Sequence, residues 1–379
     1  MERMKLAVIF GGRSPESDIS ILTALEAISN LDAAKYEIIP VYISKNGAYT
    51  GNFKKLDCFT PFEAAKYSRA AIFEGAIFIK KKDKWQFYRK PAAALLCTHG
   101  GEGENGVLQA VLEASDIPYT SAGVLASAIG MDKIVQKQLF SEMLLNVVDY
   151  IALKSAEVRR NAAKEAEYVE NYFDYPVIVK PACQGSSIGI AVAKGRAAFV
   201  SALMTAACYG ENIIVERALT DFLEINCAAL KKKGEIIVSE TEQPVNWQSF
   251  LSFEDKYIGG KYRAGAEAHR IPAPVDDALN KRIKELVVKI YKGMGLAGVV
   301  RMDFFFDRIE EKLYINEINT IPGALAHYLF RPLSITYPEL LDALIAEAVA
   351  DAVARSKYTL EYKSGVLSHF VKAAPKFRK

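Results

Sequence analysis

Acidic, amide and arginine side chains alternate with apolar ones in the stretch RMDFFFDRIEEKLYINEINTIPG, which spans residues 301–323. The stretch predicts two short strands, MDFFF and KLYINEI, joined by a charged turn. Because side chains alternate between the two faces of a strand, Arg301 and Asp303 share a face, as do Glu317 and Asn319. A hairpin centred on the charged turn places Asp303 opposite Glu317 and Arg301 opposite Asn319.

This convergence of oxygen-bearing side chains predicts a cation site. Like charges directly opposite each other destabilise a sheet, so two facing carboxylates need an explanation. A hard cation between them supplies one, since Mg²⁺ takes oxygen ligands and keeps phosphate oxygens as further ligands. We therefore predict a magnesium and phosphate site at Asp303, Glu317 and Asn319. The alternative is a solvated sheet face that carries acidic residues incidentally.

Two lysines could supply positive charge to a phosphate group. Lys180 ends the predicted strand VIVK and precedes the loop CQGSSIG, whose backbone amides could cradle phosphate. Lys133, in the segment MDK, is the second candidate. A tight β-turn with a surface lysine, or a lysine that starts a helix, is the simpler alternative for each.

Three more polar residues lie at the ends of predicted strands. Glu216 ends the strand in VERAL and precedes the apolar Leu219, a combination that could hold an adenine and a ribose. His99 follows the apolar segment AALLC, and Glu16 lies in the loop after the first strand. Since α/β sheets bind ligands at the carboxyl ends of their strands, both residues could face a ligand. Either could equally satisfy local loop amides.

The composition is typical of a globular protein of two or three domains. The chain has 379 residues, of which 51% are hydrophobic and 25% charged, and its net charge of +3 is too small to indicate nucleic-acid binding. Its five cysteines show no metal-ligand spacing, which favours reduced thiols in a cytoplasm. No segment reaches membrane-spanning length. We therefore expect a cytoplasmic protein without membrane or nucleic-acid partners.

The elements that position these residues fall into two kinds. KLAVIFGG, YEIIPVYIS and AAALLC predict strands, and ESDISILTALEAISN and NGVLQAVLEASD predict helices, which together indicate a parallel α/β domain. YPVIVKPACQGSSIGIAVAK instead predicts an antiparallel strand–loop–strand unit, with further strands in NIIVERAL and FLEINCAALKKKGEIIVSE. Residues 245–262 have no period and predict a lid loop. VDDALNKRIKELVVKIYKGMGL predicts an amphipathic helix capped by Asp276 or Asp277.

Six motifs, in order, resemble those of the D-alanine–D-alanine ligases of the ATP-grasp superfamily: VIFGGRSPESDIS, HGGEGENGVLQ, PYTSAGVLASAIGMDK, YPVIVKPACQGSSIG, GVVRMDFFF and NEINTIPG. The resemblance implies a Rossmann-like N-terminal domain over residues 1–130 that binds the first substrate. It further implies a two-part ATP-grasp α+β fold, with a central domain over 131–225 and a C-terminal domain over 226–356 that carries the metal and acceptor sites. Residues 357–379 form a basic tail.

The activity that the resemblance implies is ATP-driven condensation of two D-amino acids through an acyl phosphate, for peptidoglycan precursor synthesis. A homodimer is expected only by analogy. The implied ligands of two Mg²⁺ ions, with Mn²⁺ as an alternative, are Asp303, Glu317 and Asn319. The implied contacts to ATP are Lys133, Lys180, Glu216, Leu219, Glu224 and Lys256.

The resemblance also assigns the amino-acid substrates. Glu16 and His99 would bind the first amino acid, and Arg301 with the Gly323 N–H would form the oxyanion site. The trio that closes the lid would be Glu16, Ser186 and Tyr257. The second substrate would meet Tyr328 and Leu329.

The chain departs from the family pattern at the lid and at the acceptor site. The usual lid sequence Tyr-Asp-Tyr is replaced by Leu251, Ser252 and Phe253, and a tyrosine, Tyr328, stands where the family places a serine. We therefore expect a remodelled acceptor site for D-alanine, D-serine, D-lactate or a bulkier amine. Three other functions are alternatives for this sequence. They are an ATP-grasp ligase outside cell-wall synthesis, a non-enzymatic nucleotide-binding protein, and a dinucleotide oxidoreductase, although G-x-G-x-x-G is missing.

Overall fold

The computed structural model of the protein describes residues 2–244, 269–359 and 361–368. Three β-sheets form its framework, with helices packed against them. The predicted lid at 245–262 and most of the predicted basic tail lie outside the described residues. None of the helices in the described ranges combines the length and apolar character that crossing a bilayer requires.

The N-terminal sheet contains seven strands: β1 (Met4–Gly11), β2 (Tyr36–Ser44), β3 (Gly47–Thr50), β4 (Ser68–Phe73), β5 (Ala76–Lys81), β6 (Lys84–Arg89) and β7 (Ala93–Leu96). Their order is β6-β5-β4-β3-β2-β1-β7. Strand β1 pairs in parallel with β2 and β7, which confirms the predicted parallel core. Strands β2 to β6 pair in antiparallel fashion. We did not predict this extension, whose outermost strand β6 is almost wholly exposed.

Helices from both ends of the chain bury the apolar strands of this sheet. They are α1 (Ser17–Asn30), α2 (Val107–Ala114) and α8 (Tyr337–Arg355). The C-terminal helix α8 contributes Leu340 and Leu344 to the same apolar cluster as Val8 of β1 and Leu95 of β7. The end of the chain therefore packs against its beginning.

A four-stranded antiparallel sheet follows in sequence. Its strands are β8 (Tyr150–Lys154), β9 (Val177–Pro181), β10 (Ala191–Ala193) and β11 (Asn212–Arg217), in the order β10-β9-β11-β8. Helices α5 (Ser155–Glu170) and α6 (Arg196–Ala206) share its apolar cluster. The predicted strand–loop–strand unit is confirmed, since β9 and β10 pair in antiparallel fashion. Helices α3 (Val124–Met131) and α4 (Lys133–Glu142) connect the first two sheets.

The third sheet has five antiparallel strands: β12 (Phe222–Lys232), β13 (Glu235–Pro244), β14 (His269–Arg270), β15 (Val300–Asp307) and β16 (Lys312–Asn319). Their order is β14-β13-β12-β15-β16. Helix α7 (Asp277–Gly293) buries Ile283, Val287 and Ile290 in the apolar cluster of this sheet. Its N-cap is Asp276, whose side chain accepts the Leu279 N–H.

The register of the β15–β16 hairpin agrees with the predicted one. Asp303 lies opposite Glu317, and Arg301 lies opposite Asn319. An 11-residue 3₁₀ segment, Gly323–Leu333, follows the hairpin and packs against β13 and α1. The predicted fold class, a partly parallel N-terminal sheet followed by antiparallel α+β units, is confirmed, while the predicted domain boundaries stay a prediction.

Candidate active site

The β15–β16 hairpin gathers four polar side chains at the place predicted for the cation. Arg301 donates two hydrogen bonds to Asp303, at 2.7 Å from Nε to Oδ1 and 2.8 Å from Nη2 to Oδ2. Asn319 Nδ2 donates to Asp303 Oδ2 at 3.0 Å. Glu317 lies 3.0 Å from the Lys133 Nζ. Each carboxylate therefore faces a cationic side chain.

Electrostatics at Arg301 reflect this pairing. Burial alone would lower the pKa of the guanidinium, but the adjacent Asp303 outweighs it and raises that pKa well above its usual range. Arg301 is therefore a permanent positive charge at this site, and it can stabilise negative charge that develops beside it.

The oxygens of Asp303, Glu317 and Asn319 fit a hard divalent ion. Two carboxylates on opposed β positions repel each other, and an ion between them removes that repulsion. The Asn319 amide offers an oxygen as well as a nitrogen, so it can serve as the third ligand. The described residues contain no cluster of three His, Cys, Asp or Glu side chains suited to a metal. An ion at this position would therefore complete its shell with phosphate oxygens or water.

Lys133 links the hairpin to the loop that follows β9 in the central sheet. It is the first residue of α4, whose N-cap Asp132 accepts the N–H groups of Ile134 and Val135. Lys133 Nζ donates to the Gln184 carbonyl at 2.8 Å and pairs with Glu317. Burial opposes its charge, yet Glu317 and more distant carboxylates raise the pKa of Lys133. Lys133 is thus held at the point where the sheets meet.

A buried group of one carboxylate and two lysines lies next to it. Glu216 Oε2 is 2.6 Å from Lys180 Nζ, and Glu216 Oε1 is 3.0 Å from Lys137 Nζ. Burial would raise the pKa of Glu216, but the two lysines outweigh it and lower the pKa to about 2. Burial also lowers the pKa of Lys137. With both lysines protonated, the group carries a net charge of +1 in the interior, which favours an anionic ligand.

Sequence analysis missed Lys137. It lies four residues after Lys133, on the same helix face, and its side chain is only 1% exposed. The i, i+4 spacing of two lysines at a helix start is the signal that could have found it.

Leu219 lies in a small apolar cluster with Val148, Phe305 and Tyr314. Glu224 is opposite Phe305 across β12 and β15, so its side chain shares a face with that ring. An apolar slot flanked by a carboxylate is the kind of surface that the adenine and ribose expectation requires. The structure thus brings Leu219 and Glu224 together, while their contact with a nucleotide stays a prediction.

Glu16 and Ser186 lie in contact although 170 residues separate them. The Ser186 hydroxyl donates to Glu16 Oε1. The neighbouring Gly185 allows this approach, because a Cβ there would lie 2.7 Å from Glu16 Oε2. The predicted third member of the trio, Tyr257, falls outside the described residues, as do the other lid residues Leu251, Ser252, Phe253 and Lys256.

His99 is 4% exposed, and both of its ring nitrogens face protein groups. Nδ1 lies 2.8 Å from the Ile321 carbonyl oxygen, and Nε2 lies 2.9 Å from Thr23 Oγ1. Burial lowers the pKa of His99 to about 4, and the nearby Arg301 adds to that effect. His99 is therefore neutral at physiological pH.

The loop after β16 presents Gly323 to open space. No atom lies within 4 Å of the place where a Cβ on Gly323 would stand. The next three residues, Ala324, Leu325 and Ala326, have φ angles of 48°, 51° and 48°. A left-handed conformation costs a non-glycine residue roughly 1–2 kcal/mol, and such strain concentrates at functional sites.

At the place expected for the second substrate, the Tyr328 hydroxyl is hydrogen-bonded to another side chain. Its hydroxyl donates to Glu242 Oε2 at 3.0 Å, and His269 Nδ1 contacts the other oxygen of the Glu242 carboxylate. Burial, followed by the Glu242 charge, raises the pKa of Tyr328. Leu329 is fully buried, and its contact with a substrate stays a prediction.

Glu242 and His269 are further residues that sequence analysis missed. Glu242 lies opposite Asn226 on β12, and Asn226 lies opposite Asp303 on β15. One face of the sheet therefore carries a continuous polar row from Glu242 to Glu317. The signal in the sequence is the acidic Glu242 near the end of the segment IIVSETEQ. Without the strand order, an acidic residue there is expected to lie on the surface.

Comparisons with solved structures define the class of protein. The VanG D-Ala:D-Ser ligase from Enterococcus faecalis superimposes with a TM-score of 0.77 at 28% identity, covering 92% of this chain and 100% of that one. The D-alanine–D-alanine ligase from Coxiella burnetii also gives 0.77, at 25% identity, covering 98% and 99%. The fold is thus that of a ligase with the ATP-grasp architecture.

The sequence comparisons establish the family. The family model described as D-ala D-ala ligase N-terminus matches residues 5–122, and that described as D-ala D-ala ligase C-terminus matches 139–346. The chain belongs to the D-alanine–D-alanine ligase family. It is 36% identical to a protein named D-alanine–D-alanine ligase in Caldicellulosiruptor bescii, covering 96% of this chain and 99% of that protein. A protein of the same name in Thermosipho melanesiensis is 35% identical, with coverage of 90% and 92%.

Proposed function

We propose that the protein uses ATP to join two D-amino acids, D-alanine to D-alanine in the first instance, for peptidoglycan precursor synthesis. The observation that carries this proposal is the convergence of Arg301, Asp303 and Glu317 with Lys133, a residue of a different structural unit. The names of the relatives support the substrate class. We expect the activity in the cytoplasm, where ATP is available, and a homodimer by analogy.

Three lysines and an apolar slot would bind the nucleotide. Lys133 and Lys180 reach toward the phosphates, and the buried excess of positive charge around Glu216 favours an anion there. Leu219 and Glu224 would contact the adenine and the ribose. Lys256 is expected to join them from outside the described residues.

Asp303, Glu317 and Asn319 would hold Mg²⁺, as two ions in the family pattern, and Mn²⁺ could replace it. When bound, Mg²⁺ neutralises phosphate charge and aligns the transferred group. Binding would release Asp303 from part of its pairing with Arg301, and Glu317 from Lys133. Both cationic side chains would then face the phosphates and the reacting carbonyl.

The chemistry proceeds in two steps. The carboxylate of the first D-amino acid, bound near Glu16, attacks the γ-phosphorus, and ADP leaves as an acyl phosphate forms. The amine of the second D-amino acid attacks the acyl carbon, the C–O bond to phosphate breaks, and a proton leaves the amine. Arg301 and the Gly323 N–H would stabilise the oxyanion between these two events. Glu16, Ser186 and Tyr257 would hold the lid closed against water.

A related ligase with a different acceptor is the second candidate. The contact between Tyr328 and Glu242 favours it, because the Tyr328 hydroxyl hydrogen is not available to an acceptor carboxylate. D-serine, D-lactate and a bulkier amine are the acceptors to compare with D-alanine.

The test is ADP release with D- and L-amino acids in pairs, with mass determination of every product. We expect magnesium-dependent D-alanyl-D-alanine formation from D-alanine alone. A mixed product in excess over the D-alanine dimer would support the second candidate. Absence of ADP release with every D-amino acid pair, and with each D-amino acid plus D-lactate, would refute both.

A further inference from the structure

The loop that carries Gly323 is held on both sides by two side chains of the N-terminal unit. His99 Nδ1 lies 2.8 Å from the carbonyl oxygen of Ile321, two residues before Gly323. Thr23 Oγ1 accepts the N–H of Ala324, the residue after Gly323, at 3.2 Å. Thr23 and His99 contact each other at 2.9 Å, so they form a single bridge across the loop.

A third side chain anchors the start of the same loop. Glu104 Oε1 accepts the Ile321 N–H at 3.1 Å and the Thr320 hydroxyl at 3.3 Å. Glu104 Oε2 accepts the Gly100 N–H at 2.9 Å, next to His99 in sequence. Glu104 and His99 therefore each connect the loop after β7 to the loop that carries Gly323.

In the neutral ring of His99, one tautomer satisfies every bond. The Ile321 carbonyl can only accept, so Nδ1 carries the hydrogen. Nε2 is then unprotonated and accepts the Thr23 hydroxyl hydrogen, while the Thr23 oxygen accepts the Ala324 N–H. The burial that lowers the pKa of His99 to about 4 agrees with this neutral form.

The backbone conformation after Gly323 explains why the loop needs the hydrogen bonds from Thr23 and His99. Ala324 begins the left-handed stretch that continues through Ala326, and none of its residues is glycine. Such a conformation persists only where surrounding contacts determine it. The Thr23 hydroxyl receives the first N–H of this stretch and so helps to fix the orientation of the adjacent peptide.

We infer that Thr23 and His99 are positioning residues, which form a hydrogen-bonded relay that fixes the Gly323 N–H in place. The inference rests on the proposed function for the role of Gly323. In this relay both ring nitrogens of His99 serve the protein, so His99 does not donate to the carboxylate of the first amino acid. Thr23 is the residue that tests the relay, because it does not belong to the proposed substrate contacts.

The first experiment compares Thr23→Val, which removes the hydroxyl, with Thr23→Ser, which keeps it. We expect T23V to lower kcat by about ten- to a hundredfold while the KM values for ATP and D-alanine change less than about twofold. T23S should retain kcat within about threefold. Thr50→Val is the matched control, since Thr50 is 3% exposed and donates to the Pro40 carbonyl at 2.8 Å, within the N-terminal sheet. It should leave kcat unchanged.

Two results for kcat would overturn the relay, and so would one result for KM. One is a T23V enzyme with the kcat of T50V. The other is equal loss in T23V and T23S, which would mean that packing rather than the hydroxyl is responsible. A higher KM for D-alanine at constant kcat would likewise assign this group to substrate binding.

The second experiment tests the relay by a measurement that does not depend on enzyme activity. In protein labelled with ¹⁵N-histidine, NMR should show His99 as the neutral Nδ1–H tautomer from about pH 5 upward. T23V should raise the pKa of His99, because Nε2 loses its donor. A wild-type Nε2–H tautomer would overturn the relay even in an active enzyme. If the enzyme forms no product with any amino acid, the proposed function fails while the tautomer still decides the relay.

Discussion

At the residue scale, the site depends on buried charges whose partners lie far away in the sequence. Glu216 and Lys180 come from adjacent strands, and Lys137 reaches them from α4. Lys180 and Glu216 could be predicted as candidates because each ends an apolar strand. Their mutual contact could not, because it depends on the order of strands in the sheet.

Replacing Lys137 by methionine tests whether the excess positive charge serves the nucleotide. Lys137→Met leaves a neutral Glu216–Lys180 pair, so we expect the ligand-free protein to stay as stable as wild type or to gain stability. The KM for ATP should rise about tenfold or more, because a charge near the phosphates is lost. Thermal unfolding and ATP-dependent ADP release measure the two effects.

Lys154→Met is the control for that substitution. Lys154 also donates to a side chain of β11, the Asn212 oxygen at 2.7 Å, but it is exposed on the surface. It should leave the KM for ATP unchanged. Equal effects of the two substitutions would contradict a role for Lys137 in nucleotide binding.

Two buried titratable groups in the Gly323 anchor should have opposite effects on stability as pH changes. His99 has its pKa lowered from 6.5 to about 4, so between these values the unfolded chain holds a proton that the folded protein lacks, and stability rises with pH. Burial raises the pKa of Glu104 from 4.5 to about 7, so there the folded protein holds the extra proton, and stability falls with rising pH. The two contributions oppose each other in the wild type.

Single substitutions should separate these contributions. Between pH 4.5 and 6.5, the range where the two shifts overlap, the free energy of unfolding of His99→Gln should fall with pH relative to wild type. That of Glu104→Gln should rise. Denaturant titrations at several pH values measure both slopes. Identical slopes in the two variants would show that the pKa shifts have been misassigned.

At the element scale, local patterns predicted most helices and strands but not how they assemble. The β15–β16 register followed from strand alternation and a single turn, and the α7 cap followed from an aspartate before an amphipathic run. Strands β3 to β6 were not predicted from such patterns. The packing of α8 on β7, and the approach of Thr23 on α1 to the Gly323 loop, are tertiary contacts between distant segments, and no local period encodes them.

The loop between β9 and β10 allows a test of how close this loop must lie to Glu16 at the start of α1. Gly185→Ala would place a Cβ 2.7 Å from a carboxylate oxygen of Glu16, so the loop must move away from α1. We expect a rise in the KM for the first D-amino acid and a loss of kcat of about tenfold or more. Steady-state kinetics at varied D-alanine measure both.

Gly195→Ala is the matched substitution, at the N-terminus of α6 on the same sheet. No atom lies within 4 Å of a Cβ at Gly195, and the backbone there is extended. Its kinetics should equal those of the wild type. An unaffected G185A enzyme would show that Glu16 and the Ser186 loop need not stay in contact during turnover.

At the scale of the whole molecule, the site exists only where three sheets meet. Glu16 and His99 come from the N-terminal sheet, Lys180 and Glu216 from the central one, and the Asp303 hairpin from the third. The family resemblance could predict this assembly because its motifs occur in the family order. The acceptor end could not be predicted in the same way, since Tyr328 departs from the family pattern and its partner Glu242 lies outside the six motifs.

The central claim is that ATP activates the carboxylate of one D-amino acid as an acyl phosphate. The most direct measurement uses D-alanine with both carboxyl oxygens replaced by ¹⁸O, together with ATP and Mg²⁺, and mass analysis of the released phosphate. Because the C–O bond breaks when the amine attacks, we expect one ¹⁸O atom in each phosphate and one in the new peptide carbonyl. Phosphate without ¹⁸O, released while dipeptide accumulates, would contradict the account.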